Sequence, residues 1–209
     1  MSARLFGRLV SGWIVALATI QPAASHERRT LDCEAAFPPD ASSTSLAAQF
    51  GSEHVVKADI SVGEGSFEAG SVIYANSAED RVEILWKDPR EQRTPRTVGI
   101  LGEESHWSTV HGVTLGVDLK TLERINGQPF TLLGFGWDYG GTVVSWSGGL
   151  LDAPSRGCKI LVRLAPELKY IDPQWSGLYE QVSGDRPFSS NDPVMQQLNP
   201  RVYAVMLGY

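Results

Sequence analysis

Residues 113–146, VTLGVDLKTLERINGQPFTLLGFGWDYGGTVVSW, decide the fold class. Asp118 precedes a run in which Leu119, Leu122 and Ile125 recur at i, i+3 and i+6, while Lys120, Glu123 and Arg124 take positions between them. That spacing predicts a short amphipathic helix with an acidic N-cap, stopped at Asn126-Gly127 and barred from extension by Pro129. Phe130–Phe135 and Thr142–Trp146 are β-branched and aromatic runs that meet at Gly140-Gly141, and they read as strands. The class that follows is α+β, with short helices packed on antiparallel sheet.

A fainter copy of this order lies upstream. The hydroxyls of Ser42–Ser45 are N-cap candidates for a helix through Leu46, Ala47, Ala48 and Phe50, ended by Gly51. His54–Ser61 reads as a strand and Gly63-Glu64-Gly65 as a turn. Glu68–Ala75 and Arg81–Trp86 then read as a hairpin across the polar stretch Asn76–Asp80. Val82, Ile84 and Trp86 alternate with Arg81, Glu83 and Leu85, the period of a strand with one buried face. With Lys159–Leu164 as a third strand downstream, the chain divides into units of residues 43–88 and 113–165. Two duplicated helix-plus-three-strand units are one expectation; two segments sharing an economical order are the other.

Between the units, Lys87–Pro95 (KDPREQRTP) reads as a charged linker, Thr97–Leu101 as a short strand and Glu103–His111 as loop. Before them, His26–Ser42 reads as an extended lead-in. Residues 26–165 form the expected α+β domain, and residues 166–209 a C-terminal extension packed on it. Within the extension, Val194–Leu198 suits a helical turn and a half, and Val202–Leu207 suits a strand or a helix.

The first 25 residues read as a signal peptide. Arg4 and Arg8 supply the positive start, Leu9–Ile20 an apolar core too short to span a bilayer, and Ala23-Ala24-Ser25 a cleavage site before His26. Asp32 precedes Cys33, which does not fit a lipoprotein motif. Cleavage removes two of the 18 Lys and Arg and none of the 24 Asp and Glu, so the net charge falls from −6 to −8. An acidic chain without a basic run is a poor partner for nucleic acid or an anionic membrane surface. The expected location is periplasmic or secreted, with no stable membrane insertion after cleavage.

Cys33 and Cys158 are the chain's two cysteines. In an oxidising compartment such a pair forms one structural disulfide, and their spacing is far from the C-x-x-C of a redox pair.

No catalytic set is recognisable. His106 and His111 are five residues apart, neither the i, i+4 spacing of a helical zinc pair nor the i, i+2 spacing of a strand. Glu103 and Glu104 would have to complete any metal site there; solvated loop histidines beside a packed Trp107 explain the pair more simply. Ser145-Trp146-Ser147-Gly148-Gly149 lacks the first glycine of a nucleophile elbow. Gly134-Phe135-Gly136 runs into Trp137 and makes no phosphate loop. Catalytic residues, metal and cofactor are therefore all assigned as none. Trp137-Asp138-Tyr139 is the candidate binding site, since aromatics flanking a carboxylate suit a sugar ring or a protein partner. The competing reading is a hairpin whose rings pack across strands while Asp138 bonds turn amides.

The pattern Gly112-x-x-x-Gly116, helix, Asn126-Gly127-x-Pro129 and strands resembles the repeated module of bacterial envelope proteins similar to beta-lactamase inhibitory protein. It is also similar to small outer-membrane assembly lipoproteins. The resemblance implies a helix layer on an antiparallel sheet and a role in binding proteins without catalysis, and it carries over no functional residue. The whole chain more closely resembles an uncharacterised family of exported bacterial proteins, which implies no activity. The expectation is a non-catalytic binding protein of the envelope whose partner is another envelope protein or a glycan; the alternative is an envelope hydrolase acting on cell-wall or polysaccharide substrate.

Overall fold

The computed structural model describes residues 28–153, 157–167 and 176–209; the expected signal peptide lies outside them. The fold is α+β. Helix α1 (Ser43–Phe50) is capped by Ser42, whose hydroxyl accepts from the Ser45 amide at 3.1 Å. Ser45 Oγ in turn accepts from the Ser42 amide at 2.9 Å, which completes a capping box. Helix α2 (Leu119–Asn126) begins at Asp118, which accepts from the Thr121 amide at 2.7 Å, and ends at Gly127 in the left-handed region. Asn126 is buried and cross-links the second unit. Its side-chain amide donates to the carbonyls of Gln128 and Trp146 and its oxygen accepts from the Leu151 amide.

In chain order the strands are β1 (Arg29–Thr30), β2 (Val55–Gly63), β3 (Ser66–Ile73), β4 (Val82–Asp88), β5 (Arg93–Leu101), β6 (Trp107–Ser108), β7 (Thr131–Leu133), β8 (Val143–Ser145), β9 (Lys159–Ala165), β10 (Pro187–Ser189) and β11 (Arg201–Gly208). Two short helices, α3 (Ser176–Gln181) and α4 (Pro193–Leu198), lie in the C-terminal stretch. The main sheet is antiparallel throughout, in the order β2-β3-β4-β5-β11-β9. A small sheet runs β10-β7-β8, and β1 pairs with β6 in parallel.

Directly opposed residues share a face of an antiparallel sheet. One face carries Ile73, Val82, Ile84, Val98, Ile100, Val162 and Val205, buried with Leu46 of α1, Leu122 of α2 and Met195 of α4 in a single core. Val56, Ile60, Leu85, Leu101, Met206 and Leu161 lie on the opposite face. There Ile60, Val72 and Ala204 are buried without belonging to that core.

The stretch Lys87–Pro95 is not a linker. Asp88 pairs with Arg93 and its carboxylate accepts from the Glu91 amide at 3.1 Å, so the charged residues form a hairpin tip between long strands. Pro95 has no amide to give, and it sits opposite Trp86 where the register shifts, a place where a strand tolerates proline. The loop expected at 103–111 contains β6. Val202–Leu207 is a strand, and it enters the main sheet between β5 and β9, so the C-terminal stretch supplies a central strand as well as packing. The two units share element order but not pairing: β2, β3 and β4 are neighbours, whereas β7 and β8 pair in the small sheet and β9 joins the main one. Cys33 and Cys158 form a disulfide across 125 positions.

Candidate functional site

The loop from β7 to β8 is anchored at its base and open at its tip. Phe135 is buried and stacks on Tyr179 with ring centroids 6.2 Å apart. Gly140 donates to the Trp137 carbonyl at 2.9 Å, and a Cβ there would lie 3.0 Å from that oxygen. Gly141 has φ +71°, and its Cβ would fall 1.8 Å from the Leu164 carbonyl, so only glycine lets this loop lie against β9. Above this base, Trp137 is 38% and Tyr139 51% exposed. Their rings stand 5.5 Å apart at 65°, edge to face, forming a steep corner. Trp137 Nε1 donates to the Gly134 carbonyl at 3.0 Å, and Arg163 donates to the Asp138 carbonyl. The Asp138 side chain is exposed, and among the described residues no turn amide donates to it. Trp137 and Tyr139 therefore pack on each other within the loop, and the Asp138 carboxylate faces outward.

Arg163 connects this corner to a neighbouring cleft. Its guanidinium lies 5.5 Å from the ring of Tyr203, which stands at the β-bulge of β11 and lines the cleft. Bulges re-aim a side chain in this way. Burial raises the pKa of Tyr203, opposed by the charge of Arg163. The cleft holds about 870 Å³ and is walled by Leu115, Val117, Pro166 and Val202, with Glu103, Glu104, Glu167 and Arg201 as its charged groups. Arg201 Nε lies 3.3 Å from Glu167 Oε1, and its guanidinium donates to the Gly116 carbonyl at 3.0 Å. Burial raises the pKa of Asp118 at the cleft's edge. Hydrogen bonds from Thr121 and Asn199, with the charge of Arg201, outweigh it and hold the carboxyl below its usual range. At the junction of corner and cleft, Thr142 Oγ1 and Arg163 Nε are buried without a hydrogen-bond partner among the described residues.

The histidines weighed in the sequence lie elsewhere. His106 sits between Asp80 and Glu79, with its ring nitrogens 3.1 and 3.0 Å from their carboxylates. Arg29 bonds the same Asp80 oxygen at 2.9 Å and lies over the rings of Tyr74 and Trp107. Burial raises the pKa of Asp80, but bonds from His106 and Ser77 and the charge of Arg29 lower it further than burial raises it. His111 is exposed on the turn from Thr109 to Val113, and the His54 ring lies tilted against Tyr74 with centroids 4.8 Å apart. None of these histidines lines the cleft, and neither does Asp138. Glu103 and Glu104 do, but with Glu167 and Arg201 as companions. Sequence reasoning missed that cleft because its walls come from segments up to 101 positions apart. Only Gly102-Glu103-Glu104 after a strand end could have hinted at it.

No protein-family model matches this chain, and no curated protein and no solved structure matches it. The reading of the site rests on its own chemistry.

Proposed function

We propose that this is an exported binding protein, periplasmic or secreted and without a catalytic role, whose ligand is an envelope glycan held at Trp137, Asp138 and Tyr139. The exposed edge-to-face aromatic pair carries this reading. A sugar ring presents C–H faces that stack on aromatic surfaces, and hydroxyls that donate to a carboxylate such as Asp138. The glycine-tight base holds the corner in shape before any ligand arrives, which lowers the ordering cost of binding. Export is supported by the Cys33–Cys158 disulfide, since such bonds persist in oxidising compartments, and by the signal-peptide pattern of the first 25 residues. No helix among the described residues is long and apolar enough to cross a membrane.

Calorimetric titration with chitotetraose and with a soluble disaccharide-tetrapeptide of peptidoglycan tests the reading. Saturable binding is expected, with Trp137→Ala raising Kd about tenfold, a loss of about 1.4 kcal/mol. The melting temperature should move by less than about 2 °C, as for a surface substitution in a domain of this size. No binding of either sugar, or a drop of several degrees in Trp137→Ala, overturns it. The three glutamates of the adjoining cleft favour a second reading, a hydrolase acting on the same polymer. Release of new reducing ends, abolished by Glu167→Gln, would select it.

A further inference from the structure

Strand β2 is an edge of the main sheet and pairs only with β3 among the described residues. The Tyr74 amide donates to the His54 carbonyl at 2.9 Å, which fixes the alternation. Residues 54, 56, 58 and 60 turn their backbone groups towards β3, and Val55, Lys57, Asp59 and Ser61 turn theirs to the open edge. The register shift comes only after Ser61, so this edge is regular from Val55 to Ser61. Such a row of unpaired amides and carbonyls is a template for another strand.

We propose that the strand it takes is β2 of a second copy of this chain, antiparallel and centred on Ala58. Two copies related by a two-fold axis must bring edge-facing residues opposite edge-facing residues, which restricts the register. Centring on Lys57 or on Asp59 would oppose like charges. Centring on Ala58 sets Lys57 of each copy opposite Asp59 of the other, giving two opposite-charge cross-strand pairs. Val56 then meets Ile60 twice on the other face, covering a valine that is 39% exposed. Lys57 and Asp59 are exposed, and neither forms an ion pair among the described residues. One sequence, VVKADIS, is thus complementary to itself in charge, in apolar pairing and in backbone polarity at a single register. The apolar faces of the two main sheets join across it.

A single strand-to-strand contact is at the small end of interfaces, so a reversible dimer of roughly micromolar Kd is expected by sedimentation equilibrium. Lys57→Asp and Asp59→Lys should each raise that Kd about tenfold by opposing like charges, and the double exchange should restore it to within about threefold. Far-UV circular dichroism checks that the variants fold. On the unaltered protein, the Lys57 and Asp59 amides should gain hydrogen-exchange protection as concentration rises, while Ala58 and Ile60 are protected at every concentration. A monomer throughout the range, single exchanges that leave Kd unchanged, a double exchange that stays monomeric, or edge amides that do not respond to concentration would each overturn the proposal.

Discussion

Residues 43–88 and 113–165 present the same order of elements and use it in opposite ways. In the first, β2, β3 and β4 pair with their neighbours in sequence, and only Glu64-Gly65 separates β2 from β3. In the second, β7 and β8 are three residues each, their sheet is completed by β10 from the C-terminal stretch, and β9 leaves for the main sheet. Short loops close cheaply and long strands pair locally, so the three strands of the first unit pair with one another, and β4 goes on to pair with β5 just beyond it. The second also depends on distant partners: the disulfide to Cys33, β10 and β11. Order of elements does not determine pairing.

The disulfide is the strongest of these distant ties. Replacing Cys33 and Cys158 together with alanine should destabilise the protein by about 4–5 kcal/mol on the loop-entropy model, read from urea unfolding. A loss under about 1 kcal/mol would show that packing alone already holds the second unit, erasing the contrast.

A glycine in each unit has φ +71°, which allows a matched experiment. Gly65→Ala has open space and should cost only the left-handed penalty, about 1 kcal/mol. Gly141→Ala drives a methyl into the Leu164 carbonyl and should cost about 3 kcal/mol, since β9 must shift. Equal losses would mean that the second unit's loop is no tighter against its neighbours than the first unit's turn.

The smallest effect concerns acid. Asp80 and Asp118 both have folded pKa values below the ordinary 3.8. The stability they contribute is complete above the unfolded value and is lost as pH falls through the lower folded values. Denaturation midpoints should therefore fall on acidification below about pH 4. In Asp118→Asn the decline should be shallower, at a cost under about 1 kcal/mol at pH 7 because asparagine still caps. In Asp80→Asn the decline should also be shallower, with a larger loss at pH 7 because Arg29 then loses its carboxylate partner. Unchanged acid slopes in both variants would remove the contrast.

The legible parts of the chain were those whose signals are local. Asp118, Gly127, Ser42 and Gly51 marked their helices because a cap is a bond between residues three or four apart. Alternation at Val82, Ile84 and Trp86 marked a strand for the same reason. Lys87–Pro95 misled because charge and proline describe a linker as well as a hairpin tip; only the Asp88–Arg93 pairing separates the two. At the candidate site, the sequence located Trp137, Asp138 and Tyr139 but not their exposure, which depends on Arg163 and Leu164 beneath them.

By itself, the sequence determined the α+β class, helices α1 and α2 with their caps, the cysteine pair and the acidic charge. Each follows from composition, short-range periodicity or the presence of two thiols. Tertiary structure alone decided that the last strand lies between β5 and β9, that β9 abandons its own unit, and that Tyr203, Glu103, Glu167 and Arg201 share a cleft. It also decided that β2 forms an edge of the main sheet among the described residues. Those outcomes depend on which distant surfaces meet, and burial and backbone pairing between remote segments leave no fixed spacing in the chain.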